Sequence, residues 1–395
     1  MESRVARDRE STMEFKPGPR DVRSWVEIDL SAVAHNIRTL KGVAGPGRLV
    51  MACVKSNAYG HGLNEVARAA EAAGADRLAV AWVDEGLSLR RAGVRVPIQV
   101  LMEPPPEAAV EMAQSGLIAS LSSLGTARRM AERLDRPLTV HVEVDTGMGR
   151  VPLQPDEVPG FLARLARMGP FRVEGLFSHF SSAGEPGDSR FDRFTRDQLN
   201  AFTRLCSRLE SQGVRVPIRH MAGSDGVAHY PESRLDMIRP GAWVYGYKGR
   251  RIGLDLAPVL SWKTRVLRVT PASAHRPYGY AMSFLPERDT RIAHLPVGYG
   301  DGYPRALSGV GEVLIQGMRA PVAGMIGMET MMVDVGHIEG DLEGREAVMI
   351  GRQGPERIKA ADLAERIGLF GVMITCGIKE KVPRIYLGRD SRPAG

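Results

Sequence analysis

At 395 residues, 43% hydrophobic and 25% charged, the chain can bury a full core, as one large barrel with an addition or as two domains. Its net charge of +7 is the small excess of 53 basic over 46 acidic residues scattered along the chain, and aromatic residues make up only 6%; the basic-aromatic stripes of a nucleic-acid binder are absent. Three widely spaced cysteines, Cys53, Cys206 and Cys376, form no C-x-x-C pattern, which argues against a disulfide framework or a zinc site and for a reducing, cytoplasmic setting.

In chain order, residues 1–23 are charged and carry no apolar core of a signal sequence, so they read as a disordered leader. No apolar run reaches membrane-spanning length. Trp25–Leu30 reads as a strand that could join a later β domain. Strand-like runs then follow at Leu49–Val54, Leu78–Val83, Ile98–Met102, Leu117–Leu121, Thr139–Val144, Arg172–Ser178, Val216–Met221 and Leu235–Arg239. Amphipathic helices separate them, such as Asp192–Gln212, with Leu199, Phe202, Leu205 and Leu209 at helical spacing and Gly213 as a stop.

Eight strands alternating with helices predict a (β/α)₈ barrel over residues 24–250. An open, doubly wound sheet is the alternative that periodicity does not exclude. Past Gly246, glycine and proline become frequent, and strand-like runs appear at Val259–Val269, Thr290–Pro296, Val313–Ile315 and Ala347–Ile350, with one helical pattern at Ile358–Ile367. The expectation is a mostly β domain over residues 251–395.

Barrel chemistry belongs at the C-terminal ends of the strands. Lys55 follows the first barrel strand in MACVKSNAYGHGL, His179 the sixth in GLFSHF, Ser224 the seventh in HMAGSDG, and Arg239 ends the eighth in MIRPGAWVYG. A lysine at such a mouth either snorkels to solvent or forms a Schiff base with a carbonyl compound. Four such residues on one rim favour a site.

These residues resemble the alanine racemase family, pyridoxal-phosphate enzymes of fold type III. WVEIDLSAVAHNIRTL, VKSNAYGHG, VDTGMGRVP, VGYGDGYPR and KVPRIY resemble family blocks in the family's order, from Trp25 to the C-terminus. The resemblance implies pyridoxal 5'-phosphate on Lys55, its phosphate held by Tyr59, Ser224 and the backbone at Gly241, and Arg239 facing the pyridine nitrogen. An always-charged arginine there keeps that nitrogen unprotonated, which favours return of a proton to Cα over transamination.

Racemisation needs a base on each face of Cα. The family's spacing places the second base at Tyr280 of YAMSF rather than Tyr278, contributed by the partner subunit of a homodimer, with His179 and Arg239 as the charged network lowering its phenol. It also implies Arg150 and Met328 as substrate contacts. Where many members carry a carbamylated lysine, this chain has Glu143, which is expected to pair with Arg150 directly. Three further departures are Gly223 for an asparagine, Glu329 for an aspartate and Val372 for a phosphate-contacting tyrosine; the longer Glu329 is expected to crowd the substrate entrance.

The implied activity is interconversion of L- and D-alanine, supplying D-alanine for peptidoglycan. Alternatives are a racemase for another amino acid such as serine, a non-catalytic pyridoxal-phosphate carrier, which would lack the second domain, and a fold-type-III basic amino-acid decarboxylase.

Overall fold

The computed structural model describes residues 23–184, 187, 189–247 and 253–388. The expected leader lies outside them except for Arg23, which donates to the carboxylates of Asp301 and Glu329. Strand β1 (Ser24–Asp29) runs into a helix at Leu30–Ala44, whose start is set by the Asp29 carboxylate accepting from Ser31 N and Ala32 N. Val33, Ile37 and Leu40, at the spacing of one helix face, bury that helix against the core.

A closed parallel barrel follows: β2 (Leu49–Cys53), β3 (Arg77–Val80), β4 (Ile98–Val100), β5 (Leu117–Leu121), β6 (Leu138–Glu143), β7 (Phe171–Phe177), β8 (Ile218–His220) and β9 (Met237–Ile238). Closure is direct, because β9 pairs with β2 at Leu49–Met237 and Val50–Ile238. The open-sheet alternative is thereby excluded. The strands carry the apolar runs expected of a sheet covered on its outer face by helices. Inside, Met51, Cys53, Ala79, Ile218 and Met237 form a small apolar cluster, but Gln99, Ser120, His141 and His220 are buried there too. The helix expected at Asp192–Gln212 spans Ser189–Ser211.

The remaining strands are β10 (Leu260–Arg265), β11 (Arg268–Ala272), β12 (Thr290–Leu295), β13 (Glu312–Ile315), β14 (Met318–Pro321), β15 (Met331–Asp334), β16 (Glu346–Gln353), β17 (Glu356–Ile358) and β18 (Arg384–Leu387). One sheet runs β14-β13-β16-β10-β1-β18 with β17 beside β16; a second runs β11-β12-β15. β1 therefore sits in the C-terminal sheet, antiparallel to β10 and parallel to β18. The run expected as one strand at Val259–Val269 is two: Val266 N bonds Arg345 O, whereas Leu267 N bonds His294 O, so the chain crosses between sheets there. The helical pattern at Ile358–Ile367 shortens to a helix at Ala360–Glu365, because β17 takes up Ile358. A second short helix, Gly371–Gly377, packs near the lysine loop and was not anticipated.

Candidate active site

Lys55 follows Val54 at the C-terminal end of β2 and lines a cavity of about 430 Å³. That volume suits a small organic cofactor with a small substrate. Behind the lysine the backbone does something rare: Ser56, Asn57, Ala58 and Tyr59 all have φ of 52–55°, one left-handed turn in four non-glycine residues. Such residues cost about 1–2 kcal/mol each. Local hydrogen bonds offset this: Gly60 N donates to Ser56 O at 3.1 Å, Gly62 N to Asn57 O at 3.0 Å, and Leu63 N to Asn57 Oδ1 at 2.8 Å. The turn carries Lys55 and Tyr59 on one short segment into the same cavity.

Opposite, Gly241 permits an approach that no other residue could: a Cβ there would stand 2.4 Å from Tyr59 Oη. Ser224 Oγ accepts from Gly241 N at 3.2 Å and from Trp243 N at 3.5 Å, which brings the serine hydroxyl to the same corner. Burial raises the Tyr59 phenol well above its ordinary range, so it keeps its proton as a donor. A phenol, a hydroxyl and a tight glycine backbone make a cradle for an anion. Val372 lines this cavity without a polar group to add, and Gly223 leaves the His179 ring close by, 3.2 Å from where a Cβ would be.

Arg239 is buried and held from several sides. Its Nη2 donates to Ser178 O at 2.6 Å, Met221 O at 2.9 Å and His179 Nδ1 at 3.1 Å; its Nη1 donates to His220 Nδ1 at 2.9 Å. Phe177 lies beneath the guanidinium at 5.1 Å. Burial brings its pKa down to about 10, still far above neutrality, so it keeps its charge. His179 behaves differently from the charged partner expected of it. Its own burial, with Arg239, Arg150 and Lys55 nearby, pushes it to about 3, so at neutral pH it is an uncharged acceptor for Arg239.

Arg150 Nη2 donates to Glu143 Oε1 at 2.6 Å, joining the loop after β6 to the end of that strand. The carboxylate is buried and the guanidinium reaches the cavity. This is the pairing expected from the sequence. Glu329 does not stand free at an entrance: its carboxylate accepts from Arg23 and from Lys381 at 3.1 Å, beside the buried Asp301.

Lys55, Tyr59, Arg150, His179, Ser224, Arg239 and Gly241 thus line one cavity. Tyr280 and Met328 do not. Tyr280 is 70% exposed and lines a separate surface hollow of about 400 Å³ with His294 and Met332, and Met328 is exposed as well. Sequence reasoning missed His141, Glu174 and His220, which stand behind Arg239; polar residues at inward positions of apolar strands were the available signal.

Residues 28–249 match the family model for the alanine racemase N-terminal domain and residues 259–386 that for its C-terminal domain. The chain belongs to the alanine racemase family. An alanine racemase from Symbiobacterium thermophilum is 45% identical over 93% of this chain and 98% of its own length. One from Halothermothrix orenii is 39% identical over 92% and 96%. Among solved structures, an alanine racemase from D-cycloserine-producing Streptomyces lavendulae superposes with a TM-score of 0.87 at 34% identity, covering 93% of this chain and 97% of that one. The Bacillus anthracis alanine racemase with bound L-Ala-P superposes with 0.86 at 32%, covering 93% and 95%.

Members of the alanine racemase family depend on pyridoxal 5'-phosphate, and the cavity suits that group. It offers an amine for the aldehyde at Lys55, and a corner at Gly241 that a Cβ would close, flanked by the hydroxyls of Tyr59 and Ser224. It also offers a buried, charged arginine rather than a carboxylate at Arg239.

Proposed function

We propose that this chain interconverts L- and D-alanine with pyridoxal 5'-phosphate, one base removing the Cα proton and a second base returning a proton from the opposite face, and so supplies D-alanine for peptidoglycan. The observation that carries this reading is that Lys55 and Arg239 share one cavity, the arginine pinned by Ser178, Met221, His179 and His220. Bound there, the cofactor supplies the electron sink that loosens the Cα proton. In this reading Arg239 faces the ring nitrogen and, unable to give up its proton, limits that sink so that the proton returns to Cα.

Lys55 Nζ would hold the resting cofactor and, with that bond ceded to the substrate amine, be free to accept or donate the proton on one face. Arg150, steadied by Glu143, orients the substrate carboxylate. Tyr59, Ser224 and the Gly241 backbone fix the phosphate end. On the other face the proton is handled by Tyr280 of the partner subunit, with Met328 beside the substrate. Tyr280, Met282, Leu285 and Met328 are large apolar side chains left exposed on the C-terminal domain, which supports a surface covered by a second copy. None of the described helices is long and apolar enough to cross a membrane.

The test is incubation of the purified chain with pyridoxal phosphate and a panel of single-enantiomer amino acids, followed by chiral chromatography. Alanine is expected to equilibrate fastest, from either enantiomer. Faster racemisation of serine or another amino acid would replace alanine as the substrate, and no racemisation of any would remove the activity.

A further inference from the structure

A chain of polar side chains crosses the barrel from the candidate site to its far end. Arg239 Nη1 lies 2.9 Å from His220 Nδ1, His220 Nε2 lies 2.8 Å from His141 Nδ1, and His141 Nε2 lies 3.1 Å from Glu174 Oε2. The same carboxylate accepts from Arg77 Nη1 at 2.7 Å and Nη2 at 3.2 Å, with Arg172 at 3.8 Å. Both histidines are fully buried. Two local irregularities build the chain. The β6–β7 register jumps from Val140–Val173 to His141–Gly175, which makes Glu174 the extra residue of a bulge, a device that re-aims side chains. A Cβ on Gly175 would lie 2.4 Å from His141 Nδ1, so only glycine leaves room for that ring.

The order of protons along this chain follows from valence alone. A guanidinium only donates. Arg239 therefore requires a bare Nδ1 on His220, whose proton must sit on Nε2. That proton points at His141, which must accept at Nδ1 and carry its own proton on Nε2, toward Glu174. A second proton on either ring would set donor against donor. Burial also lowers both histidines, which agrees with neutral rings.

Because Arg77 at the other end also only donates, neutral imidazoles alone, each with one donor and one acceptor, cannot satisfy both arginines. One acceptor-only group has to stand between them. We propose that Glu174 is that group: a positioning residue that orients the hydrogen bonds of His141 and His220 so that Arg239 keeps its acceptor at the candidate site. The proton order stands on the geometry; its consequence for turnover rests on the function proposed above.

Without the carboxylate, Arg77 competes with Arg239 for the one acceptor that two neutral imidazoles leave at an end of the chain, so a reversed order, in which His220 presents a proton to Arg239, becomes populated. Removing Arg77 as well takes away the competing donor, so the more heavily altered double variant recovers the native order. Loss of packing alone would make the double variant worse.

The experiment is ¹⁵N NMR of the histidine-labelled, cofactor-loaded full-length chain, with signals assigned by single histidine replacements, alongside steady-state kinetics. In the wild type both rings are expected neutral with the proton on Nε2. In Glu174→Leu protons are expected on Nδ1 as well as on Nε2 of both rings, and kcat for alanine falls by up to about tenfold, the weight of one hydrogen bond to a charged group. Glu174→Leu/Arg77→Leu returns both protons to Nε2 and restores most of kcat.

A wild-type spectrum with an Nδ1 proton or a charged ring overturns the proposal, and it decides the matter even where Glu174→Leu does not fold. So does a Glu174→Leu spectrum identical to wild type, or a double variant that keeps protons on Nδ1. A wild type with the expected protons but no racemisation would sink only the proposed function.

Discussion

Arg150 and Glu143 form a 2.6 Å ion pair whose carboxylate is buried and whose guanidinium lines the cavity that holds Lys55. The glutamate is part of the chain, so the arginine needs no modified lysine to steady it. Glu143→Gln keeps the shape and removes the charge, which costs about 1.5–3 kcal/mol for a charged hydrogen bond. The expected outcome is a rise of about tenfold or more in KM for alanine, and wild-type rates that do not respond to added bicarbonate. A bicarbonate-dependent wild type would contradict this account of Glu143.

Lys55→Ala should abolish the visible absorption band of the lysine-bound cofactor and all racemisation, while the far-ultraviolet circular dichroism stays unchanged. Retention of the band would move the attachment to another lysine.

Tyr280→Phe should lower turnover by about 10²–10⁴-fold, the usual weight of a general acid or base. Because Tyr280 lies outside the Lys55 cavity, a shared site makes a sharper demand. Inactive Lys55→Ala and inactive Tyr280→Phe chains, refolded together, should regain activity, since one site of each mixed dimer then carries both wild-type residues. If mixing recovers nothing, the two residues do not meet across a dimer.

Gly241→Ala inserts a methyl group 2.4 Å from Tyr59 Oη. Overpacking of this kind costs about 1–3 kcal/mol, so cofactor affinity should fall by roughly tenfold or more with little change in kcat at saturating cofactor. Equilibrium dialysis against pyridoxal phosphate measures it. Unchanged affinity would place the phosphate elsewhere.

Acid sensitivity has a defined sign. Burial holds His61 near a pKa of about 4 and His179 near about 3, below the value of about 6.5 in an unfolded chain. Between those limits the unfolded chain binds more protons, so stability is complete above about pH 6.5 and is lost as pH falls toward 4. Each such histidine contributes a slope of about 1.4 kcal/mol per pH unit. Urea midpoints at pH 7.5 and 5 should therefore drop steeply in the wild type and less in His61→Phe, which keeps a ring against Tyr245. An equal drop in both would sink the assignment to His61.

Local pattern and composition made much of this protein readable before any coordinates. The eight apolar runs alternating with amphipathic helices specified parallel strands covered by helices, closure into a barrel being decided by the pairing of β9 with β2, and the strand ends pointed to Lys55, His179, Ser224 and Arg239. Glu143 stands just ahead of the motif VDTGMGRVP, seven residues before its Arg150, close enough for the loop to pair them.

What pairs through space was decided only by the tertiary structure. Periodicity carries no information on which strand neighbours which, so the split of Val259–Val269 between two sheets and the docking of β1 beside β18 awaited the hydrogen-bond partners. Charge state was equally hidden: His179 was expected to be a cation and is neutral because burial and three nearby cations oppose its proton. The line from Arg239 through His220 and His141 to Glu174 joins residues up to 98 positions apart. It exists because barrel closure brings strands β6 to β9 around one interior and a single bulged residue turns its carboxylate inward.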